Sequence, residues 1–201
     1  RFFLTDPMSA LEDALGVSAG AIGNEPARCN IAPGQEIVVF NGTLSRMRWG
    51  IVPVGRVNAR GRPVMEQIIN ARSETVFDKS AFEGVGRAVI PVNGWYEWTG
   101  EKRKKTAWRI APKDHGFLYF AAITDVWTAP GGLRVPQVAA VTCAPNADVA
   151  PIHHRMGVLL ERDDLPVWMG DDLEAAKSLM VTWPEGRLEI SQARDVNWDA
   201  A

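Results

Sequence analysis

The chain has 201 residues, 46% hydrophobic and 23% charged, with a net charge of −2 and a mean hydropathy of −0.10. These values fit a folded globular protein and exclude disordered, collagen-like and disulfide-scaffold compositions. The length suits a single domain over residues 1–201. Apolar runs such as 117–123 fall well short of the ~20 residues that cross a bilayer, and Arg1 opens no signal-peptide pattern, so no membrane association is expected. Cys29 and Cys143 form no Cys-x-x-Cys pair, which points to a reducing, intracellular setting.

A short helix is expected first. Thr5 or Asp6 can cap it, Pro7 suits its first position, and Met8, Leu11 and Leu15 make one apolar stripe ahead of Gly16. Strand patterns then dominate. Runs 36–40 and 43–49 flank Asn41-Gly42, a dipeptide suited to a tight hairpin, and similar runs follow at 87–92, 95–98, 106–111, 117–127, 133–142 and 188–191. Helical periodicity occurs at 73–82 and between 163 and 180, where Asp171 or Asp172 can cap. Stretches 54–63 and 99–105, rich in Gly, Arg and Lys, read as flexible. Long strands, short links and peripheral helices imply an α+β fold built on antiparallel, barrel-like sheets.

Charge is distributed unevenly: residues 1–110 carry net +4 and residues 111–201 net −6. Arg46, Arg48, Arg56, Arg60, Arg62 and Arg72 stand against Glu66 alone between residues 43 and 72, with Trp49 among them. Such a stretch suits a single-stranded nucleic-acid backbone, or simply a solvated basic surface. Eight tryptophans add stacking capacity.

Alternation along 95–98 puts Trp95 and Glu97 on one face and Tyr96 and Trp98 on the other. A carboxyl held beside an indole is desolvated and can carry a proton near neutral pH, whereas a strand-edge Glu in water cannot. Asn70 and Arg72 share one side of an extended segment, presenting an amide and a guanidinium together. His153 and His154, adjacent in sequence, are expected to diverge, so one proton donor is a better reading than a shared metal. With no HExxH, Gly-rich phosphate loop or carboxylate cluster, neither a metal nor a nucleotide cofactor is expected.

Six segments occur in order along nearly the whole chain: Arg1-Phe2, Arg28-Cys29-Asn30-Ile31-Ala32-Pro33, Met47-Arg48-Trp49-Gly50, Asn70-Ala71-Arg72-Ser73-Glu74-Thr75, Gly94-Trp95-Tyr96-Glu97-Trp98 and Ile152-His153-His154-Arg155-Met156. Together they resemble the SRAP family, the SOS response-associated peptidases, which trap abasic sites in single-stranded DNA covalently. The resemblance implies an SRAP-like domain, lyase-like crosslinking and thiol-dependent autopeptidase activity in the DNA damage response. In that family an N-terminal Cys, followed by Gly, Arg and Phe or Tyr, condenses with the abasic-site aldehyde into a thiazolidine. Arg1-Phe2 matches the third and fourth positions, so the nucleophile is expected two residues before Arg1.

The same resemblance implies that Asn70 orients the amine, Glu97 shuttles protons and His153 protonates the opened sugar oxygen. Arg1, Arg48 and Arg72 would hold phosphates, and Trp49 would supply a stacking surface. The sequence departs from the family in three places. Cys29 replaces an aromatic residue and is expected to pack as a small hydrophobe; Gly157 replaces a proline; and residues 51–69 form a longer segment lacking tryptophan. Two other functions fit the residues: a thiol peptidase using Cys143, ten positions before His153, and a non-covalent single-strand binder.

Overall fold

The computed structural model describes residues 1–23, 25–53, 60, 66–79, 82–101, 104–129 and 131–199. The predicted flexible stretch 54–63 therefore lies outside the described residues but for residue 60, as do Arg56 and Arg62. Residues 102 and 103 of the second stretch also lie outside them.

Two sheets dominate. One has the order β2 (Arg28–Ile31), β1 (Phe2–Leu4), β7 (Gly94–Thr99), β8 (Thr106–Pro112) and β13 (Leu188–Gln192), antiparallel throughout. In the other, β10 (Arg134–Cys143), β4 (Leu44–Trp49), β3 (Glu36–Phe40), β6 (Gly86–Val92) and β9 (Leu118–Thr128) follow one another, and β9 pairs back onto β10. This closes a five-stranded barrel and removes free edges from its wall. Short β11 (Met156–Gly157) and β12 (Leu159–Leu160) flank it on β10 and β9.

The barrel departs from the expected antiparallel pattern in one place. β4 pairs with β10 in parallel through Gln137↔Arg48 and Val138↔Trp49, and β5 (Asn70–Arg72) continues along the same edge at Ala140↔Asn70 to Thr142↔Arg72. The chain thus leaves β10 after Trp49 and returns to it at Asn70. Ile51 and Ile68 exchange backbone hydrogen bonds of 3.0 and 2.8 Å at the base of this excursion. A long segment costs little closure entropy when its ends are already paired.

Helix α1 (Met8–Leu15) buries Met8, Leu11 and Leu15 and ends at Gly16, whose φ of 70° is the left-handed value glycine tolerates. Pro7 rather than Thr5 or Asp6 occupies the cap position. The backbone N–H groups of Thr5 and Asp6 instead donate to Asn93 Oδ1. Residues 73–78 form turns instead of the expected helix, burying Val76, while residues 80 and 81 lie outside the described set. Helices α2 (Leu165–Met169) and α3 (Leu173–Ser178) fall where expected, the latter capped by Asp172 through Ala175 N–H. The β3–β4 hairpin pairs Phe40 with Leu44, so its loop is residues 41–43, with positive φ only at Gly42.

Candidate active site

Segments distant in sequence meet around a cavity of about 510 Å³. The start of β1, the end of β4, β5, β7 through Trp95, Glu97 and Trp98, and the turn leading into β11 all contribute to it. Aromatic rings build one side. Phe2 packs on Trp49 with centroids 4.4 Å apart, and Phe120 meets both Phe2 (4.9 Å) and Trp95 (5.4 Å) edge-on. Such pairs contribute about 0.5–1.5 kcal/mol each beyond their buried area and hold the wall rigid.

Strand β7 carries the carboxyl. Its alternation sends Trp95 and Glu97 toward the cavity, while Tyr96 packs on the opposite face against Phe3 and Trp198. Gly94 begins the strand because a Cβ there would run into the Ile110 carbonyl and the Phe3 ring. Burial pushes the Glu97 carboxyl above its ordinary range, opposed by His153 and by a hydrogen bond from the Trp95 side chain. Glu97 Oε1 lies 3.8 Å from His153 Nδ1.

Strand β5 exposes Asn70 and Arg72 on one face and buries Ala71 on the other, as its sequence predicted. The two histidines do not diverge: their rings lie 4.5 Å apart, tilted by 45°, and both line the cavity. Short turn geometry at 151–154 brings them together. Among the described residues, no three His, Cys, Asp or Glu side chains gather as a metal-binding set.

Arg1, Trp49, Asn70, Arg72, Glu97 and His153 therefore share one cavity; Arg48 is not among its lining residues. On β4, Met47 and Trp49 point inward, which turns Arg48 toward the outer face. Trp49 is only 3% exposed and its indole donates to Ile69 O at 3.0 Å, so it forms wall and has no free face for a base. The Arg1 guanidinium is also engaged, donating at 2.8 Å to both Asn30 Oδ1 and Trp198 O. Arg46 is paired with Glu25 at 2.7 Å, which removes it from the basic tally. Cys29 is exposed rather than packed as a small hydrophobe, its carbonyl accepting from Tyr96 Oη. Cys143 is buried, and burial raises its thiol pKa, which opposes a nucleophilic role. Sequence reasoning missed Arg155, although its motif contains it; this side chain lines the cavity and pairs with Glu74.

The family profile described as "SOS response associated peptidase (SRAP)" matches residues 1–197. The chain belongs to the SRAP family. Among relatives of this SRAP chain, Abasic site processing protein YoaM of Bacillus subtilis is 31% identical over 149 residues, covering 70% of this chain and 64% of YoaM. The match therefore spans slightly less than two thirds of that relative. Abasic site processing protein YedK of Escherichia coli is 26% identical over 159 residues, covering 75% of this chain and 68% of its own length. A solved structure from Bordetella bronchiseptica superimposes with a TM-score of 0.77 at 17% identity, covering 96% of this chain and 98% of the other. A phage-related protein of the same organism gives a TM-score of 0.72 at 22% identity, with 97% and 94% coverage. Both share the fold of this SRAP chain. Where Gly157 departs from the family's proline, a Cβ would run into the Phe120 ring, so the aromatic wall occupies that space here.

Proposed function

We propose that this SRAP chain processes abasic sites in single-stranded DNA, capturing the aldehyde through a Cys-Gly pair placed ahead of Arg1. One observation carries the reading. β1 pairs antiparallel with β7 at Phe2↔Trp95 and Phe3↔Gly94, so a residue preceding Arg1 on the same strand line runs beside Glu97. That position borders the cavity shared by Asn70 and His153. An amine entering these dry surroundings is favoured in its neutral form, because burial penalises its charged state.

The chemistry then needs what the cavity offers. The neutral amine adds to the C1′ aldehyde, giving a carbinolamine; loss of its hydroxyl as water leaves an imine; and the thiol sulfur adds to the imine carbon while the thiol proton passes to the nitrogen, closing the thiazolidine. Glu97, protonated more readily than an exposed carboxyl, delivers the proton to the leaving hydroxyl. Asn70 orients the amine, and His153 protonates the sugar oxygen released on ring opening. Arg72, exposed at the cavity, holds a phosphate. Arg48 would reach phosphate only from outside the cavity, and Arg1 only by releasing Asn30 and Trp198.

Incubating the Cys-Gly-extended chain with single-stranded DNA carrying one abasic site, then running a denaturing gel, tests the reading. A retarded adduct is expected for the extended chain and none for a chain starting at Arg1. Equal adduct from both would point to a lysine imine instead. No adduct from either would leave non-covalent binding of single strands.

A further inference from the structure

The turn before His153 is anchored by fully buried Val149, whose carbonyl accepts from the His153 backbone N–H at 3.0 Å, while residues 151–155 are themselves exposed or half-exposed. That anchor holds the backbone and leaves the imidazole to be oriented by its neighbours. Arg155 enters the protein here with both terminal nitrogens engaged, while its buried Nε has no hydrogen-bond partner among the described residues. Its Nη1 and Nη2 donate to Glu74 Oε1 and Oε2 at 2.6 and 2.8 Å, and Nη2 also donates to the Thr142 carbonyl. Two parallel bonds between planar groups fix orientation as well as distance. Thr142 lies on β10 opposite Arg72, and Glu74 follows Arg72 by two residues. The Arg155 fork thereby joins the segment bearing Asn70 and Arg72 to the turn bearing His153.

The backbone of Arg155 meets the imidazole directly. His153 Nδ1 lies 2.8 Å from Arg155 O and 3.3 Å from Arg155 N. A carbonyl only accepts, so the shorter contact requires a proton on Nδ1; the longer one would require a lone pair there, and the two cannot hold together. With the proton on Nδ1, the neutral ring keeps its lone pair at Nε2, the nitrogen that can take up and return a proton.

We propose that Glu74 is a positioning residue which, through Arg155, fixes the placement and the Nδ1–H tautomer of His153. Arg155 serves here as a strut whose charge Glu74 offsets. This inference builds on the reaction proposed above for its rate readout, while its tautomer readout is independent of that reaction.

The test uses Glu74→Gln, Glu74→Asp and Arg155→Lys. Glu74 has 54% of its side chain exposed, and Gln preserves its size, so this substitution leaves the fold intact. Nitrogen-15 NMR of the imidazoles reads the tautomer directly in the chain as it stands. The parent should show His153 protonated at Nδ1 in its neutral form. Glu74→Gln and Arg155→Lys should give a mixture of tautomers, with Glu74→Asp restoring most of the parent pattern. In the Cys-Gly-extended protein, crosslinking should slow by about 10- to 100-fold in Glu74→Gln, within the range a 1 Å misplacement costs, with affinity for undamaged single strands unchanged. An unchanged His153 tautomer in both Glu74→Gln and Arg155→Lys overturns the proposal. So does a loss of DNA affinity in Glu74→Gln without a change in tautomer. Altered tautomers in a protein whose parent forms no crosslink would uphold the positioning role and reject the proposed reaction.

Discussion

Replacing Glu97 with Gln separates proton transfer from binding. The amide matches the carboxyl in size and keeps a hydrogen-bonding oxygen beside His153 and Trp95, yet it neither gains nor loses a proton. Glu97 has 23% of its side chain exposed and faces a cavity rather than open solvent, so water is a poor substitute for it. The expected loss is that of one general acid or base, about 10² to 10⁴ in crosslinking rate. Affinity for undamaged single strands should be unaffected. Stability should not fall either. Burial raises the folded-state pKa of Glu97, so the native chain binds this proton more tightly than the unfolded chain. That preference disfavours the native state as pH rises from the unfolded carboxyl value through the folded one, and Gln removes the penalty. Thermal unfolding at neutral pH should therefore give Glu97→Gln a Tm at or above the parent's.

The pH profile supplies the sign. If the protonated carboxyl acts, the parent rate falls as pH rises through the elevated Glu97 pKa, and Glu97→Gln loses that limb. His153→Ala should slow the reaction as well, and His154→Ala less so, because only the His153 ring is held by the Arg155 carbonyl and lies within 3.8 Å of Glu97. Single-turnover crosslinking with the Cys-Gly-extended protein reads all three variants against pH. A Glu97→Gln rate within a few-fold of the parent, or a larger loss in His154→Ala than in His153→Ala, would refute these roles.

Two further outcomes follow from placement alone. Arg72→Ala should flatten the salt dependence of single-strand binding by about one phosphate contact, whereas Arg48→Ala, outside the cavity, should change it less; titrations at several salt concentrations decide. Gly157→Ala should cost about 1–3 kcal/mol, because its methyl displaces the Phe120 ring that supports Phe2 and Trp95; this lowers Tm by roughly 2–4 °C per kcal/mol, measurable by calorimetry.

The sequence made the long strands readable because apolar alternation is a local signal. β3, β4, β6 to β10 and β13 fall within a residue or two of their expected bounds. Strands β1, β2, β11 and β12 are two to four residues long, too short for a period to show. The apolar run Phe2-Phe3-Leu4 buries all three side chains, so it never alternates. Periodicity suggested a helix at 73–82, but Val76 and Phe77 meet the core from turns, and burial outweighed that local pattern. At the cavity, Asn70, Arg72, Trp95 and Glu97 were legible because a two-residue period settles which way each points. The fates of Arg1, Arg46 and Trp49 depend on partners at Asn30, Glu25 and Phe2, contacts that no spacing encodes.

The placement of Arg1 bears on why the chain's first strand is so firmly held. Termini are ordinarily the least ordered part of a domain. Here β1 lies between β2 and β7, with Phe2 4% and Phe3 1% exposed. The far end of the chain closes over its outer face: Val196 and Trp198 join Phe3, Tyr96 and Trp98 in a small second core, and Asn30 Nδ2 donates to Asn197 O. Arg1 completes this arrangement with its guanidinium 5.7 Å over the Trp198 ring and bonded to that residue's carbonyl. A basic residue used in this way is an anchor for the strand. Holding the strand in one register removes the orientational entropy that a reactive group just ahead of Arg1 would otherwise lose on meeting its substrate, and in well-oriented systems such pre-alignment accounts for several kcal/mol of barrier. Packing Phe3, Val196 and Trp198 against the Tyr96 face of β7 leaves the opposite face, where Glu97 points, to line the cavity.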